Sequence, residues 1–145
     1  MMYEYNSIIR YVVDGDTVDV DIDLGFGVWL RDQRIRLYGI DTPESRTRDL
    51  TEKLFGFAAK DFVKNYLPVG SKQILKTFIG KDGEDMRGKF GRILGDFFIN
   101  DGKMLVKTMI TEGYGVAYNG QSKTVIQEAH LKNRQLLISK GIVKI

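Results

Sequence analysis

The stretch TVDVDIDL at residues 17–24 alternates apolar and acidic side chains without a break. Successive side chains of an extended strand point to opposite faces, so this pattern predicts a half-buried strand. Its buried face would carry Val18, Val20, Ile22 and Leu24. Its solvated face would carry Asp19, Asp21 and Asp23. A fold that accommodates this segment needs a sheet with one face in the core and the other in water.

Four further segments have the composition of strands, and three have helical periodicity. The predicted strands cover residues 7–13, 28–40, 72–79 and 91–99. The predicted helices cover residues 51–67, 104–113 and 125–141. A polar loop, GKDGEDMRGKF at residues 80–90, would join the last two strands.

The first predicted helix has apolar side chains four positions apart, which is the spacing of one helix face. That face would carry Leu54, Ala58, Phe62 and Tyr66, with Phe55 and Ala59 beside them. Pro68 and Gly70 would end the helix, because neither residue favours its continuation.

The order of the elements, with a helix after the third of five strands, predicts a mainly β fold of the α+β class. A five-stranded Greek-key barrel of the oligonucleotide/oligosaccharide-binding (OB) type, with three helices packed outside, has this order. A split α+β sheet fits the same pattern nearly as well. The 145 residues contain no repeat and no linker, so residues 1–145 are expected to form a single domain.

The composition excludes several classes of chemistry. The chain has no cysteine, which excludes disulfides, cysteine-bound zinc and thiol nucleophiles. It has one histidine, His130, which lies in a segment rich in Leu and Ile and is expected to be structural rather than catalytic. The formal net charge of +3 permits a polyanionic partner without requiring one.

The sequence shows no segment that would direct it to a membrane. No apolar run approaches the roughly 20 residues that span a bilayer. The first residues, MMYEYNSIIRY, lack the apolar core of a signal peptide. We therefore expect a cytoplasmic location, unless a leader has been removed from the chain.

Two acidic turns, DGD at residues 14–16 and DTPE at 41–44, stand at predicted strand ends. Carboxylates, with backbone carbonyls and water, are the ligands of hard divalent cations. Asp16 and Asp41 are therefore candidate metal ligands, and Glu44 is a candidate general base. Each turn is also ordinary turn chemistry, because aspartate hydrogen-bonds nearby amides. The pattern alone leaves a metal site and two polar loops equally open.

Two arginines accompany these turns. Arg36 is on the strand that leads to Asp41, and Arg92 begins a later strand. A guanidinium donates two parallel hydrogen bonds to phosphate oxygens, so two arginines and a dication are suited to phosphoryl transfer. Strand arginines also commonly cover apolar neighbours with their stems, which is the simpler alternative.

The motifs in their order resemble those of the staphylococcal nuclease family. They are DGDTV at 14–18, RLYGIDTPE at 36–44, EKLFG at 52–56, GKFGR at 88–92, DGKMLVKTMITEGYGVAY at 101–118 and QEAHL at 127–131. The resemblance covers about residues 8–140. Each motif is weak alone, whereas the set in this order and spacing is specific.

The resemblance implies an OB-type barrel and calcium-dependent hydrolysis of DNA and RNA to 3′-phosphate and 5′-hydroxyl ends. It implies that Asp16 and Asp41 bind calcium with their carboxylates and Thr42 with its carbonyl. Asp14 matches the acidic residue at the edge of the metal site. Another divalent cation that prefers oxygen would accept the same ligands.

The resemblance also implies the roles of three further side chains. Glu44 matches the glutamate assigned as general base. Arg36 and Arg92 match the arginines that hold the phosphate and its transition state. These roles agree with the chemistry that the residue types permit.

The expected nucleotide pocket departs from the family pattern. Lys89 keeps a lysine near the nucleotide phosphate, and Tyr118 matches a tyrosine of the pocket. Phe90 stands where the best-known member has tyrosine, and Gly120 replaces a second tyrosine. Base stacking is worth about 1–3 kcal/mol per base, so weaker or differently placed nucleotide binding is expected.

The sequence thus predicts a monomeric, sequence-nonspecific nuclease that acts on DNA or RNA. Arg46 and Arg48, just after Glu44, are expected to steer the polyanion. Two other classes stay open, a catalytically inactive OB-fold nucleic-acid-binding module and a protein-interaction domain with coincidental turns. The complete set of carboxylates and arginines favours the enzyme.

Overall fold

The first three strands form an antiparallel meander in a computed structural model that describes residues 2–78 and 92–145. Strand β1 spans Met2–Asp14, β2 spans Thr17–Gly25 and β3 spans Val28–Leu37. Phe26 and Gly27 join β2 to β3 with φ of 56° and 74°. Two consecutive positive φ angles characterise a type I′ turn, whose twist matches that of the strands it joins.

Two later strands close this meander into a barrel. Strand β5 spans Lys72–Phe78 and β6 spans Ile93–Phe97. The strand order is β1-β2-β3-β6-β5, with β5 antiparallel to β1 and β6 parallel to β3. This closed arrangement confirms the five-stranded barrel and excludes the split sheet. The predicted loop at residues 80–90 lies outside the described residues.

A small second sheet lies beside the barrel and carries part of the site. Strand β4, Ile40–Asp41, pairs antiparallel with β7, Val116–Ala117. The prediction of one strand over residues 28–40 was therefore too long, because a turn at residues 38–39 separates β3 from β4.

Within residues 2–78 and 92–145, three α-helices pack outside the barrel, in agreement with the prediction. Helix α1 spans Leu50–Tyr66, α2 spans Leu105–Glu112 and α3 spans Lys123–Ser139. The Asp49 carboxylate accepts from the first free amides of α1, and the Ser122 hydroxyl accepts from an amide of α3. Such caps satisfy donors that a helix leaves unpaired at its N-terminus.

Strand β2 departs from the predicted alternation at two positions. Leu24 is 45% exposed, because β2 has already left the core at that point. Asp21 is buried instead of solvated, next to an irregularity in the pairing of β2 with β3. Its carboxylate accepts from the Asp32 N–H at 2.9 Å and from Arg31 at 3.1 Å. These hydrogen bonds lower the pKa of Asp21, and the largest contribution comes from the Asp32 amide.

The core-facing side of α1 is rotated from the predicted one. Leu54 is 44% exposed, whereas Phe55, Ala59 and Val63 are buried. Ala58, Phe62 and Tyr66 are only half-buried. The apolar stripe is wide enough to allow either orientation, and close contact of Gly56 with the preceding loop selects the observed one.

Candidate active site

Arg36 connects the two acidic turns. Its Nη1 donates to the Leu37 carbonyl at 2.6 Å, and its Nη2 donates to the Ile40 carbonyl at 2.9 Å. The same Nη2 lies 3.5 Å from Asp16 Oδ2. Ile40 immediately precedes Asp41, so one guanidinium contacts the first turn and the backbone of β4. The turns predicted from sequence are therefore neighbours in the fold.

The first turn presents Asp16 and packs Gly15 against the second turn. A Cβ at Gly15 would lie 2.8 Å from Ala59 Cβ and 3.3 Å from Thr42 Oγ1. Only glycine permits this approach of the two turns to α1. Asp16 Oδ1 accepts from the Thr17 hydroxyl at 2.8 Å, which fixes the carboxylate orientation.

Asp14 lies at the end of β1 and binds its own turn. One of its carboxylate oxygens accepts from the Gly15 N–H at 2.9 Å. Its charge nevertheless acts on Glu44, whose pKa it helps to raise. This is consistent with a position at the edge of the acidic cluster.

Asp41 contacts the single histidine of the chain. His130 Nε2 lies 2.6 Å from Asp41 Oδ2. A carboxylate only accepts hydrogen bonds, so Nε2 is the protonated nitrogen of this pair. The His130 side chain is 10% exposed and that of Asp41 is 39% exposed. The expectation of a merely structural histidine therefore missed a contact with a candidate metal ligand.

Thr42 and Glu44 follow Asp41 on the same segment. Thr42 is buried, and its hydroxyl has no hydrogen-bond partner within the described residues. The Glu44 backbone N–H donates to Glu52 Oε2 at 3.0 Å, which attaches the segment to α1. Gly56 of α1 packs directly on the Glu44 carbonyl and the Ser45 amide, leaving no room for a side chain.

The Glu44 side chain is exposed, but the pKa of its carboxyl is raised. Desolvation of its carboxyl raises its pKa. Repulsion by nearby carboxylates raises the pKa further; these belong to Glu52, Asp14, Asp16 and Asp41. Like charges disfavour one another's ionisation, so the neighbouring carboxylates make Glu44 easier to protonate.

A cavity of about 430 Å³ opens between residues 41–44, Tyr118 and α3. Its lining includes Asp41, Thr42, Glu44, Tyr118, His130 and Arg134. Asp16 and Arg36 are not part of the lining but adjoin it through the contacts described above. Tyr118 is 47% exposed, so its ring is available at the cavity mouth.

The remaining predicted site residues are less closely placed. Arg92 is half-buried and stands just before β6, which runs parallel to β3 with Ile93 opposite Ile35. Lys89 and Phe90 lie outside the described residues. Sequence reasoning missed Glu52 and Arg134, whose helical positions give no sign that they line a cavity.

The two turns offer oxygen ligands that suit a hard dication, but their side chains do not surround a single point. Asp16 and Asp41 offer carboxylates, and Thr42 adds a carbonyl, all oxygen ligands. Mutual repulsion of carboxylates around Glu44 would fall if a cation lay between them. Within the described residues, no group of three or more His, Asp or Glu side chains is placed to hold a metal.

The fold and this cavity define the class of the molecule: an OB-type barrel with an acidic, arginine-bridged site between the barrel and α3. A family model described as staphylococcal nuclease homologue matches residues 34–137. The match covers more than half of the 145 residues, so the chain belongs to the staphylococcal nuclease family. Its five-stranded barrel with three helices is the fold expected for that family.

Several similar proteins carry nuclease names. The thermonuclease of Staphylococcus intermedius is 31% identical over 100 residues, which are 69% of this chain and 52% of that protein. Endonuclease YhcR of Bacillus subtilis is 28% identical over 120 residues, which are 79% of this chain and 9% of that protein. The chain thus spans about half of the first relative and a small part of the second. No helix in the described ranges is long and apolar enough to cross a membrane.

Proposed function

We propose that this domain, taken as residues 1–145, is a metal-dependent nuclease that hydrolyses DNA and RNA without sequence preference. The observation that carries the proposal is the position of Arg36, which contacts Asp16 and the Ile40 carbonyl beside Asp41. One guanidinium thereby joins two acidic turns beside a cavity that Asp41 and Glu44 line. Membership in the nuclease family supports the same conclusion.

Calcium is the proposed cofactor. The carboxylates of Asp16 and Asp41 and the carbonyl of Thr42 would hold it, with Asp14 at the edge of the site. When bound, a dication polarises the scissile phosphate and offsets its negative charge. Another oxygen-preferring dication would be held by the same donors.

The side chains supply the rest of the chemistry. Glu44 takes a proton from the water that attacks phosphorus, a role for which an exposed carboxylate with a raised pKa is suited. Arg36 and Arg92 donate to the phosphate oxygens as their negative charge grows. The bond from phosphorus to the 5′ oxygen breaks, and that oxygen takes a proton from solvent water, which leaves 3′-phosphate and 5′-hydroxyl ends.

The substrate would lie across the cavity mouth. Tyr118 presents an exposed ring there, which is suited to stacking on a base. Lys89 and Phe90 are proposed to contact the same nucleotide from the segment beyond the described residues. The domain is proposed to act as a monomer, because one chain carries every group that the mechanism uses.

The proposal is tested by cleavage of an end-labelled single strand with calcium, with magnesium and with chelator. We expect calcium-dependent cleavage, products that bear 3′-phosphates, and a loss of at least ~100-fold in Glu44→Gln. Binding of the strand without cleavage under every metal condition would contradict the proposal. It would identify the alternative, a catalytically inactive OB-fold binding module.

A further inference from the structure

A second concave surface lies on the other side of the Glu44–Ser45 backbone from the cavity. It has a volume of about 610 Å³ and is bordered by β1, by the segment after Glu44 and by α1. We call it the basic groove and define it by Tyr11, Arg46, Arg48, Lys53, Phe57 and Lys60. Two of its cations, Arg46 and Arg48, are those that the sequence placed near the polyanion.

The charge of the basic groove has one sign. Four of its defining side chains are cationic, and no aspartate or glutamate among residues 2–78 and 92–145 lines it. None of the four forms a salt bridge with any residue in the ranges that the structure describes. A concave surface with unopposed positive charge concentrates a polyanion and raises its rate of association.

Two exposed aromatic rings alternate with the cations. Tyr11 is 49% exposed and Phe57 is 43% exposed. Lys60 Nζ lies 5.7 Å from the Tyr11 ring centroid, and Lys53 Nζ lies 5.9 Å from that of Phe57. A ring beside an ammonium group can stack on a base while the ammonium contacts the adjoining phosphate.

The rings indicate which form of nucleic acid the groove fits. Bases of a duplex are stacked on one another and cannot lie on a side-chain ring without being unpaired. Bases of a single strand are free to do so, and this stacking tolerates any sequence. Cations alone would suit either form, so Tyr11 and Phe57 favour the single strand.

The basic groove is continuous with the candidate active site. Glu44 lines the cavity, and the next residue, Ser45, lines the groove. On α1, Glu52 likewise lines the cavity, and the next residue, Lys53, lines the groove. Consecutive residues therefore face the two surfaces. A strand whose scissile phosphate lies near Glu44 reaches the groove by crossing a single peptide unit.

We propose that the basic groove is an accessory site for single-stranded nucleic acid, which holds the nucleotides that flank the bond to be cut. This inference rests on the proposed function, since it extends the substrate path from the same site. Arg46, Arg48, Lys53 and Lys60 would contact backbone phosphates, and Tyr11 and Phe57 would stack on bases.

The test is equilibrium binding of a labelled single strand of about 12 nucleotides, by fluorescence anisotropy in chelator, at several salt concentrations. Arg46→Gln/Arg48→Gln and Lys53→Gln/Lys60→Gln should each weaken binding by about 10-fold or more. Each pair should reduce the slope of log K against log salt by about 1.4, since a single strand loses about 0.7 per phosphate contact. A melting temperature near that of wild type verifies that each variant is folded.

The aromatic variants and a charge control complete the experiment. Tyr11→Leu/Phe57→Leu should weaken single-strand binding by about 5-fold or more while leaving the salt slope and duplex binding unchanged. Lys103→Gln/Lys107→Gln removes the same charge from a separate cavity at α2 and should change neither affinity nor slope.

Three results would overturn the inference. One is unchanged affinity and slope in all groove variants. Another is an equal loss of duplex binding in the aromatic variant, which would make the surface a duplex contact. The third is a set of groove variants that lose binding to anionic vesicles while they bind the single strand as tightly as wild type does. Because chelator prevents cleavage, a chain that binds through the groove but never cuts would disprove only the proposed function.

Discussion

His130 Nε2 lies 2.6 Å from Asp41 Oδ2, although 89 residues separate them in the chain. The contact connects α3 to β4 at the cavity wall. It occupies one oxygen of the Asp41 carboxylate and leaves the other available. A carboxylate held in this way is restricted in rotation, so α3 contributes to the geometry of the acidic site.

We expect His130→Ala to reduce cleavage by about 10- to 100-fold, because Asp41 loses the group that orients it. The calcium concentration for half-maximal activity should rise, and His130→Gln should restore part of both losses, since its amide can donate. Steady-state kinetics over a calcium series measure both quantities. A lower melting temperature with an unchanged calcium requirement would show that His130 only supports the fold.

Arg36→Lys should reduce cleavage by at least ~100-fold. Lysine carries a single ammonium group and cannot reach the Leu37 carbonyl, the Ile40 carbonyl and Asp16 together. The matched control is Arg34→Lys on the same strand, where the arginine contacts Asp19 through two hydrogen bonds at the barrel surface. Single-turnover rates compare the two variants. Equal, small losses in both would argue against a special role for Arg36.

Gly56→Ala should destabilise the protein although alanine is the better helix former. An added Cβ would overlap the Glu44 carbonyl and the Ser45 amide, which form the wall between the cavity and the basic groove. Overpacking of this kind costs about 1–3 kcal/mol, against a gain of about 1 kcal/mol in helix propensity. Urea unfolding measures the difference, and cleavage should fall with it. An increase in stability would mean that the loop moves aside freely.

We expect the buried Asp96, which lies away from the candidate site, to make the free energy of unfolding depend on pH. Burial raises the pKa of its carboxyl to about 6, although the Phe97 and Val106 amides donate to it. Between the ordinary pKa of 3.8 and about 6, the unfolded chain ionises while the folded one stays neutral. Rising pH through this window therefore lowers the free energy of unfolding, by about 3 kcal/mol in full.

Asp96→Asn removes this titration and keeps an oxygen that accepts from both amides. The variant should equal wild type in stability below pH 3.8 and exceed it above pH 6, as measured by urea unfolding across pH. Asp96→Ala, the control, leaves both amides unpaired and should be less stable at every pH. Parallel pH profiles for wild type and the asparagine variant would disprove the assignment.

The barrel was predictable because its signals are local. Period-two alternation in β2 and the return in β3 follow from strand geometry, and the helices follow from their own spacing. The errors arose where tertiary contacts override the pattern. Asp21 is buried because Arg31 and the Asp32 amide offer partners there, which alternation cannot reveal. Leu54 is exposed because the contact of Gly56 fixes the rotation of α1.

The sequence could point to the candidate site only where its residues lie in short motifs. Asp16, Asp41 and Glu44 stand in two acidic turns, and Arg36 stands on the strand that leads to the second turn. Both the chemistry and the resemblance pointed to these residues. The contact of His130 with Asp41 was not predictable, since nothing in either segment specifies the other. Only Arg46 and Arg48 of the basic groove could be predicted from the sequence. Its other residues lie on β1 and α1, far from these arginines along the chain or on a helix whose orientation the sequence does not give.

The most direct test of the central claim, that the two acidic turns form one metal-dependent site, is a double-mutant cycle on Asp16 and Asp41. Single-turnover cleavage at saturating calcium is measured for wild type, Asp16→Asn, Asp41→Asn and the double variant, with Asp19→Asn at the barrel surface as control. If one ion needs both carboxylates, each single change costs at least ~100-fold and the double variant loses little more. Losses that multiply, or a single variant that cuts like wild type, would show that the turns act separately.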